Sequence, residues 1–542
     1  MARALVSSSY AAAERGELDV ARSRLRGAAP ESRMDRAWSC AAHALSAESS
    51  AELETVIATL GTIASQAEGG AVALPTALAC AHAATIAAVT FDASLARVVQ
   101  TQLASMTNAD DLTACALVGA RGWLAWMAGE RIEDTTLAAA EKCARSAELA
   151  TLLVQLGVLR ALVAEACGDG AAMMSIARRV SRMASSDGVP RAECLAHLVL
   201  ARARRTAHHP HLAIRILAAL ASVAPWELAG WIALEARLAG DLTLTAEGAG
   251  LTPSEAIAED VSAAIDAARR GARMDFERHT EAAVSRASSV HVVARELALL
   301  AAAIDVTRPV PEALAAWSEG DAVLAPPAVH GLGVRVIDES DDVGEAAVLG
   351  APNARGRRLL GLGALLALGP DVLFHRRSRM RQGRVETLLA VLASAGPEGL
   401  EDARVFEKTY ELVYQPTVHR GVFDVLLTRT RAAAEGFGDV VRRQGRIVLT
   451  LSRPVLLPDP RASARAHDRL LRALARSGRA SADEVAKQTG LSVRAAQEAL
   501  KSLSEGGACV ADRRGRQLVY AVEDTTFSEA TELLARRRRA GA

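Results

Sequence analysis

The sequence predicts a mainly α protein: an N-terminal α-solenoid of helical hairpins, then two smaller units that each join three helices to a β-hairpin. Three observations predict it. Apolar residues recur at three- and four-residue spacing up to about residue 320, and nothing there alternates as a strand. Gly, Asp and His breaks interrupt that pattern about 40 residues apart, a repeat-like period. Beyond Arg381 the chain twice runs helix, helix, longer helix, and then two alternating segments around a glycine.

A chain of 542 residues exceeds one core and suggests about three to four domains. Half of it is hydrophobic but only 3% is aromatic, which favours helices packed closely through small side chains. The preference for Arg over Lys reads as codon bias. The net charge of zero hides an asymmetry. Residues 371–542 hold 30 Lys and Arg against 21 Asp and Glu, leaving 33 against 42 for residues 1–370. The C-terminal third is thus +9 and the remainder −9. A basic end is the footprint expected of nucleic-acid binding, although ordinary solvated faces carry such surpluses too.

The seven cysteines are scattered, without CxxC pairs or zinc spacing, and read as free thiols of a reducing compartment. No signal-like apolar stretch opens the chain, and apolar runs such as Leu359 to Leu368 fall short of the roughly 20 residues that span a bilayer. The expected location is cytoplasmic, with no membrane association.

Within residues 1–320 several segments share one shape, an apolar helix, a short break, and an Ala-rich helix. They are WLAWMAGERIEDTTLAAAEKCARSAE around Gly129, VLRALVAEACGDGAAMMSIARRVSRMA around Gly168 to Gly170, and LVLARARRTAHHPHLAIRILAALA around His208 to His211. YAAAERGELDVARSRL and IDAARRGARMDFERHTEAAV, near Gly271, follow suit. Such hairpins need neighbours to bury their apolar faces. The region resembles the degenerate tetratricopeptide-type arrays that flank DNA-binding domains in some large bacterial regulators. The strict consensus is absent, and a non-repeating helical bundle is the alternative. Pro309, Pro311, Pro326 and Pro327 then suggest a linker. The β-like runs 333–338, 345–351 and 371–374 fit a small antiparallel sheet ahead of the next helices.

In residues 331–455, helices are expected at 385–396, with Leu388, Leu389 and Leu392 inward, at 400–414 with Phe406 and Tyr410, and at 417–436 despite Gly421. GDVVRRQGRIVLTL (438–451) reads as a β-hairpin. This is the order of a winged-helix (α+β) domain, whose third helix lies in the major groove while the hairpin touches the backbone. FDVLLTRTR (423–431) resembles the recognition-helix stretch of OmpR/PhoB-type effector domains, with Phe423, Asp424, Val425, Thr428, Arg429 and Arg431 in matching positions. Tyr410 stands where that family keeps a Trp. Gly421 and Leu426 depart from it, standing where polar or basic residues are usual. The residues offered to DNA are Thr417 and His419 at the helix start, Arg420, Arg429 and Arg431 along it, and Arg442, Arg443 and Arg446 on the hairpin. A solvated basic face on a protein-docking domain is the alternative.

Residues 465–525 repeat the plan. Helices are expected at 467–478, at 480–490 with a Ser481/Glu484 capping box, and at 491–507, followed by two strands around an Arg-Arg-Gly-Arg tip. TGLS, VRAAQEALKSL and EGG leading into a basic hairpin resemble the broad MarR/ArsR-like winged-helix class. That resemblance implies base contacts from Ser492, Arg494, Ala495 and Gln497, and phosphate contacts from Lys501, Arg513, Arg514 and Arg516. Val493, Ala496, Leu500 and Leu503 have core spacing. Some members of the class only dimerise or bind proteins. Residues 526–542 form a basic tail whose Arg536 to Arg539 add sequence-blind phosphate affinity or are simply solvated and frayed.

No GxxxxGK[ST], GxSxG or HExxH occurs, and no receiver domain precedes the first winged helix. The His208, His209, His211 cluster lacks Cys or acidic partners, so an exposed loop is favoured over a metal site. Neither an enzyme nor a cofactor is expected. The function predicted is sequence-specific double-stranded DNA binding in transcriptional regulation, with a protein partner or signal on the helical repeats. The rival is an interaction scaffold whose modules dock or dimerise, making a homo-oligomer, and whose concave repeat surface is the main site.

Overall fold

The structure, a computed structural model, describes residues 2–304, 347–349, 373–374, 384–457 and 466–541, apart from breaks at 16, 28–29, 31, 67–71, 107–109, 208, 240, 242, 245–251, 271, 396–398, 411, 453–454, 506–507, 515–516 and 523–526. It is mainly helical, with three small sheets among the described residues. The chain divides into two compact units, Met1–Val261 with Ala282–Arg295 and Asp524–Ala542, and Ser262–Glu281 with Glu296–Glu523.

The first unit opens with α1 (Ala2–Glu14), α2 (Leu18–Gly27), α3 (Arg33–Ser46), α4 (Ser50–Ser65), α5 (Ala73–Thr90), α6 (Ala93–Ala104) and α7 (Asp111–Ala128). It continues with α8 (Asp134–Ser146), α9 (Ala150–Ala166), α10 (Gly170–Asp187), α11 (Pro190–Thr206), α12 (Pro210–Ala221) and α13 (Trp226–Ala239). The expected breaks are helix ends. Gly129 and Gly168 adopt positive φ after α7 and α9, and Pro210 opens α12 directly after His209. The Asp92, Asp110 and Asp169 side chains accept the first free N–H groups of α6, α7 and α10.

The even-numbered helices bury one stripe each, such as Leu95, Val99 and Leu103 on α6, or Met173, Ala177, Val180 and Ala184 on α10. By contrast α5, α9, α11 and α13 are buried almost from end to end. α13 packs against α5 as well as α11 and α12. The open concave stripe that stacked hairpins would leave is therefore filled. Glycines permit the close approach: a Cβ on Gly122 would stand 2.6 Å from Leu159, and one on Gly157 2.7 Å from Val180. The fully buried Trp231 meets Trp126 and Phe91 at ring-centroid distances of 5.7 and 5.9 Å. Among the described residues one helix, α5, is long and apolar enough to cross a membrane, and 89% of it is buried inside the protein.

Charge is buried here as well. Arg202 on α11 donates to Glu165 on α9 at 2.8 Å and to Glu235 on α13 at 2.7 Å, while Arg205 reaches Glu235 at 2.6 Å. Burial alone would raise the Glu235 pKa, but the two arginines outweigh it and hold the carboxyl down at about 2. Its charge thus persists in the interior because both partners are already oriented.

Next come α14 (Pro253–Arg269), α15 (Arg273–Arg286) and α16 (His291–Ile304); Gly271 between the first two, and the proline-rich stretch and the 333–338 run after the third, lie outside the described residues. The second unit contains β1 (Ala347–Leu349), β2 (Leu373–Phe374), α17 (Arg384–Ala395), β3 (Leu400–Glu401), α18 (Asp402–Tyr410), α19 (Pro416–Ala434), β4 (Gly438–Arg443), β5 (Arg446–Leu451) and β6 (Val455–Leu457). There follow α20 (Ala466–Ser477), β7 (Arg479–Ser481), α21 (Ala482–Thr489), α22 (Val493–Glu505), β8 (Cys509–Arg514) and β9 (Gln517–Val522).

Two modules emerge on one plan. In each, a short strand precedes the second helix and pairs antiparallel with the second hairpin strand, giving the orders β3-β5-β4 and β7-β9-β8. The helix expected at 400–414 is thus a strand plus a shorter helix. Gly399, at φ +62, brings the chain so close to β5 that a Cβ would lie 2.3 Å from the Ile447 carbonyl oxygen. The helix expected at 480–490 likewise yields β7 at its start. The small sheet also differs from expectation. β1 and β2 do not pair with each other; both pair with β6, antiparallel and parallel respectively, a strand that follows the β4–β5 hairpin and was not expected.

The last helix, α23 (Glu529–Gly541), belongs to the first unit and packs on α11. Buried Glu193 accepts the Ser528 N–H at 2.9 Å, the Ser528 hydroxyl at 2.5 Å and the Thr531 hydroxyl. Phe527 lies against His197, with ring centroids 5.0 Å apart. The tail, for which phosphate affinity and a frayed terminus were both open, is a docked helix whose positive N-terminal end meets a buried carboxylate. Of its arginines, Arg536 is exposed beside Glu532, and the side chains of Arg537 to Arg539 lie outside the described residues.

Candidate nucleic-acid interface

In the first module α19 is seated by Phe423, Leu426, Leu427, Thr430 and Ala434, all buried. Leu388, Leu389 and Leu392 of α17 share that core with Phe406, Val440 and Ile447. Leu426, which departs from the resembling family, is therefore a core residue. Pro416 opens the helix at its first turn, where its missing N–H costs nothing. At 100° per residue the opposite face gathers Thr417, Val418, Gly421, Val425 and Thr428, all exposed. Nothing lies within 4 Å of a Cβ placed on Gly421.

The residues proposed for DNA contact fall into two groups. Thr417, Arg420, Arg429, Arg443 and Arg446 are exposed, Arg420 standing 4.0 Å from Asp424. Others have structural duties. Arg431 donates through Nε to the Val440 carbonyl at 2.8 Å, tying α19 to β4. Arg442 bridges Asp402 at 2.7 Å and Asp424 at 3.5 Å. His419 is half-buried: its ring stacks on Phe406 at 4.7 Å and its Nδ1 accepts the Gln415 N–H at 3.0 Å. The Arg431 and Arg442 bonds tie α19 to β4, while His419 seats the start of α19 on α18. The Arg442 pairs are partly exposed, so they are weak and exchangeable for phosphate. The hairpin turns through Gln444 and Gly445, both at positive φ, which places Arg443 and Arg446 side by side at its tip.

The second module puts Ala496, Leu500 and Leu503 inward, whereas Val493, expected in the core, is 42% exposed at the helix start. The capping box is present: Ser481 receives the Glu484 N–H, and Glu484 receives the Ser481 N–H at 2.7 Å. That N–H and the Ser481 hydroxyl hold the Glu484 carboxyl below its ordinary pKa. Ser492 accepts the Ala495 N–H at 3.2 Å, so its hydroxyl starts α22. Arg494, Gln497 and Lys501 are exposed on the outer face, with Arg494 and Lys501 beside Glu498 and Glu505 at 3.3 and 3.8 Å. Arg513 is exposed near the hairpin tip; the Arg514 side chain and all of Arg516 lie outside the described residues. Outer-face charge on α22 is balanced, Arg494 and Lys501 against Glu498 and Glu505.

One feature of the first module escaped sequence reasoning. Val418, Val422 and Val425 are 64%, 58% and 54% exposed, and Leu412 and Val413 before them 58% and 73%. Their helical spacing reads as core, so only packing separates this stripe from the truly buried one. Among the described residues, no group of three His, Cys, Asp or Glu could hold a metal ion. The seven cysteines are free, and burial pushes the Cys509 thiol up to about 11. No protein-family profile, curated protein or solved structure matches the chain.

Proposed function

We propose that the chain is a sequence-specific double-stranded DNA-binding regulator of transcription, its two modules acting as winged helices of the OmpR/PhoB-like and MarR/ArsR-like kinds. One observation carries this reading: both third helices keep an exposed outer face beside a hairpin with exposed arginine, Arg443 and Arg446 in the first module and Arg513 in the second. A helix about 10–12 Å wide fits a major groove about 12 Å wide. Thr417, Arg494 and Gln497 then face base edges, while Arg429, Arg443, Arg446, Lys501 and Arg513 hold phosphates. Two tethered modules gain affinity through effective concentration when both reach DNA. The helical-repeat unit, solenoid-like in its hairpin order, receives a protein partner or signal. With its inner helices buried, that surface lies on the outer ones.

The exposed valines favour a second reading, in which the first module docks protein and the second alone reads DNA. Selection of bound duplexes from a random pool by the full chain separates the two. The two-module reading expects a bipartite motif, and the docking reading a single half-site. Absence of any enriched duplex removes both in favour of a scaffold.

A further inference from the structure

We propose that α19 selects its DNA by pressing Val418, Val422 and Val425 against the 5-methyl groups of thymines in the major groove. The inference rests on the DNA-binding reading above and names what that site prefers. Valine can neither donate nor accept a hydrogen bond, and the one apolar group that standard bases show in the major groove is the thymine methyl. Residues 418 and 425 lie about 10.5 Å apart along the helix axis, about three base-pair steps. Gly421 beside them presents no side chain, so the backbone of α19 can approach the groove floor.

The surroundings favour DNA over a protein as the occupant. Exposed Arg429 lies a turn beyond Val425 on the same side of the helix, and Arg443 and Arg446 stand at the tip of the adjoining hairpin. The single acid of α19, Asp424, points to the other side of the helix, where it is met by Arg420 at 4.0 Å and by Arg442 at 3.5 Å. An apolar line in a basic frame complements a row of methyl groups between two phosphate backbones.

The test uses the full chain and a duplex selected from a random pool. Each thymine is replaced in turn by uracil, which deletes the methyl and keeps the pairing. Two or three neighbouring positions are expected to weaken binding by about fourfold each, the worth of one buried methyl. Val418→Ala, Val422→Ala and Val425→Ala, at exposed positions that leave the melting temperature unchanged, erase the difference at those positions only. Equal affinity for the uracil duplex, with binding intact, overturns the inference and leaves DNA binding standing. No duplex bound at all overturns both. Loss of self-association in the valine variants with unaltered DNA affinity also overturns it, assigning the stripe to a second copy of the chain.

Discussion

Replacing Glu193 by alanine should release the C-terminal helix α23 from the first unit. Its carboxylate accepts one backbone N–H and two hydroxyls from Ser528 and Thr531. Hydrogen bonds to a charged group contribute about 1.5–3 kcal/mol each. The total is limited because, once the helix leaves, water satisfies the freed donors. A loss of about 3 kcal/mol in local docking is therefore the expected size, or about a hundredfold in the closed-to-open ratio. Hydrogen exchange reads this directly. Amides of residues 529–541 should exchange about a hundredfold faster in Glu193→Ala, with α5 and α9 unchanged. Glu193→Gln, which keeps one acceptor oxygen, should fall between. Ser528→Ala should add little on top of Glu193→Ala, because the two share one interaction. Unaltered protection of 529–541 in Glu193→Ala would refute the reasoning and place the docking energy in the contacts of Phe527 and Ala535.

Other outcomes follow from the interior. His82 is buried; its Nδ1 lies 3.1 Å from the Gln155 amide, and burial, with the nearby Arg191 charge, lowers its pKa to about 3 from 6.5. The unfolded chain therefore takes up a proton that the folded one refuses. Stability from this group is present above pH 6.5 and is lost toward about 3, by up to about 1.4 kcal/mol per pH unit. Urea melts of His82→Gln should lack that slope, and an identical slope refutes the assignment. Glu235→Ala removes the acceptor that buried Arg202 and Arg205 share, leaving Arg202 with Glu165, and should cost about 3–5 kcal/mol in the same assay. Gly399→Ala must clear the Ile447 carbonyl at positive φ and should destabilise the first module by at least about 1–3 kcal/mol, seen as early loss of α19 protection.

The helical hairpins were legible because their breaks carry backbone chemistry. Gly129 and Gly168 need positive φ, and Pro210 suits a helix start. The helix order of both modules was legible too, down to the Ser481 capping box. What stayed hidden depends on partners distant in sequence. β3 and β7 are two and three residues long, too short to alternate, and exist only because a hairpin strand lies beside them. β6 was missed because its partners precede it by about a hundred residues. The docking of α23 turns on Glu193, one carboxylate that nothing in periodicity distinguishes. In the candidate interface, position could be read but pairing could not: Arg431 and Arg442 look as available as Arg429 and Arg443 until β4 and Asp402 are in place. The valines of α19 obey core spacing and are exposed all the same.

The most direct test of the central claim is the affinity of the full chain for a labelled duplex as salt rises from about 50 to about 200 mM. With about five phosphates neutralised by Arg429, Arg443, Arg446, Lys501 and Arg513, affinity should fall about five-hundredfold along a straight log–log line. Affinity that ignores salt, or no binding at the lowest salt, would contradict it.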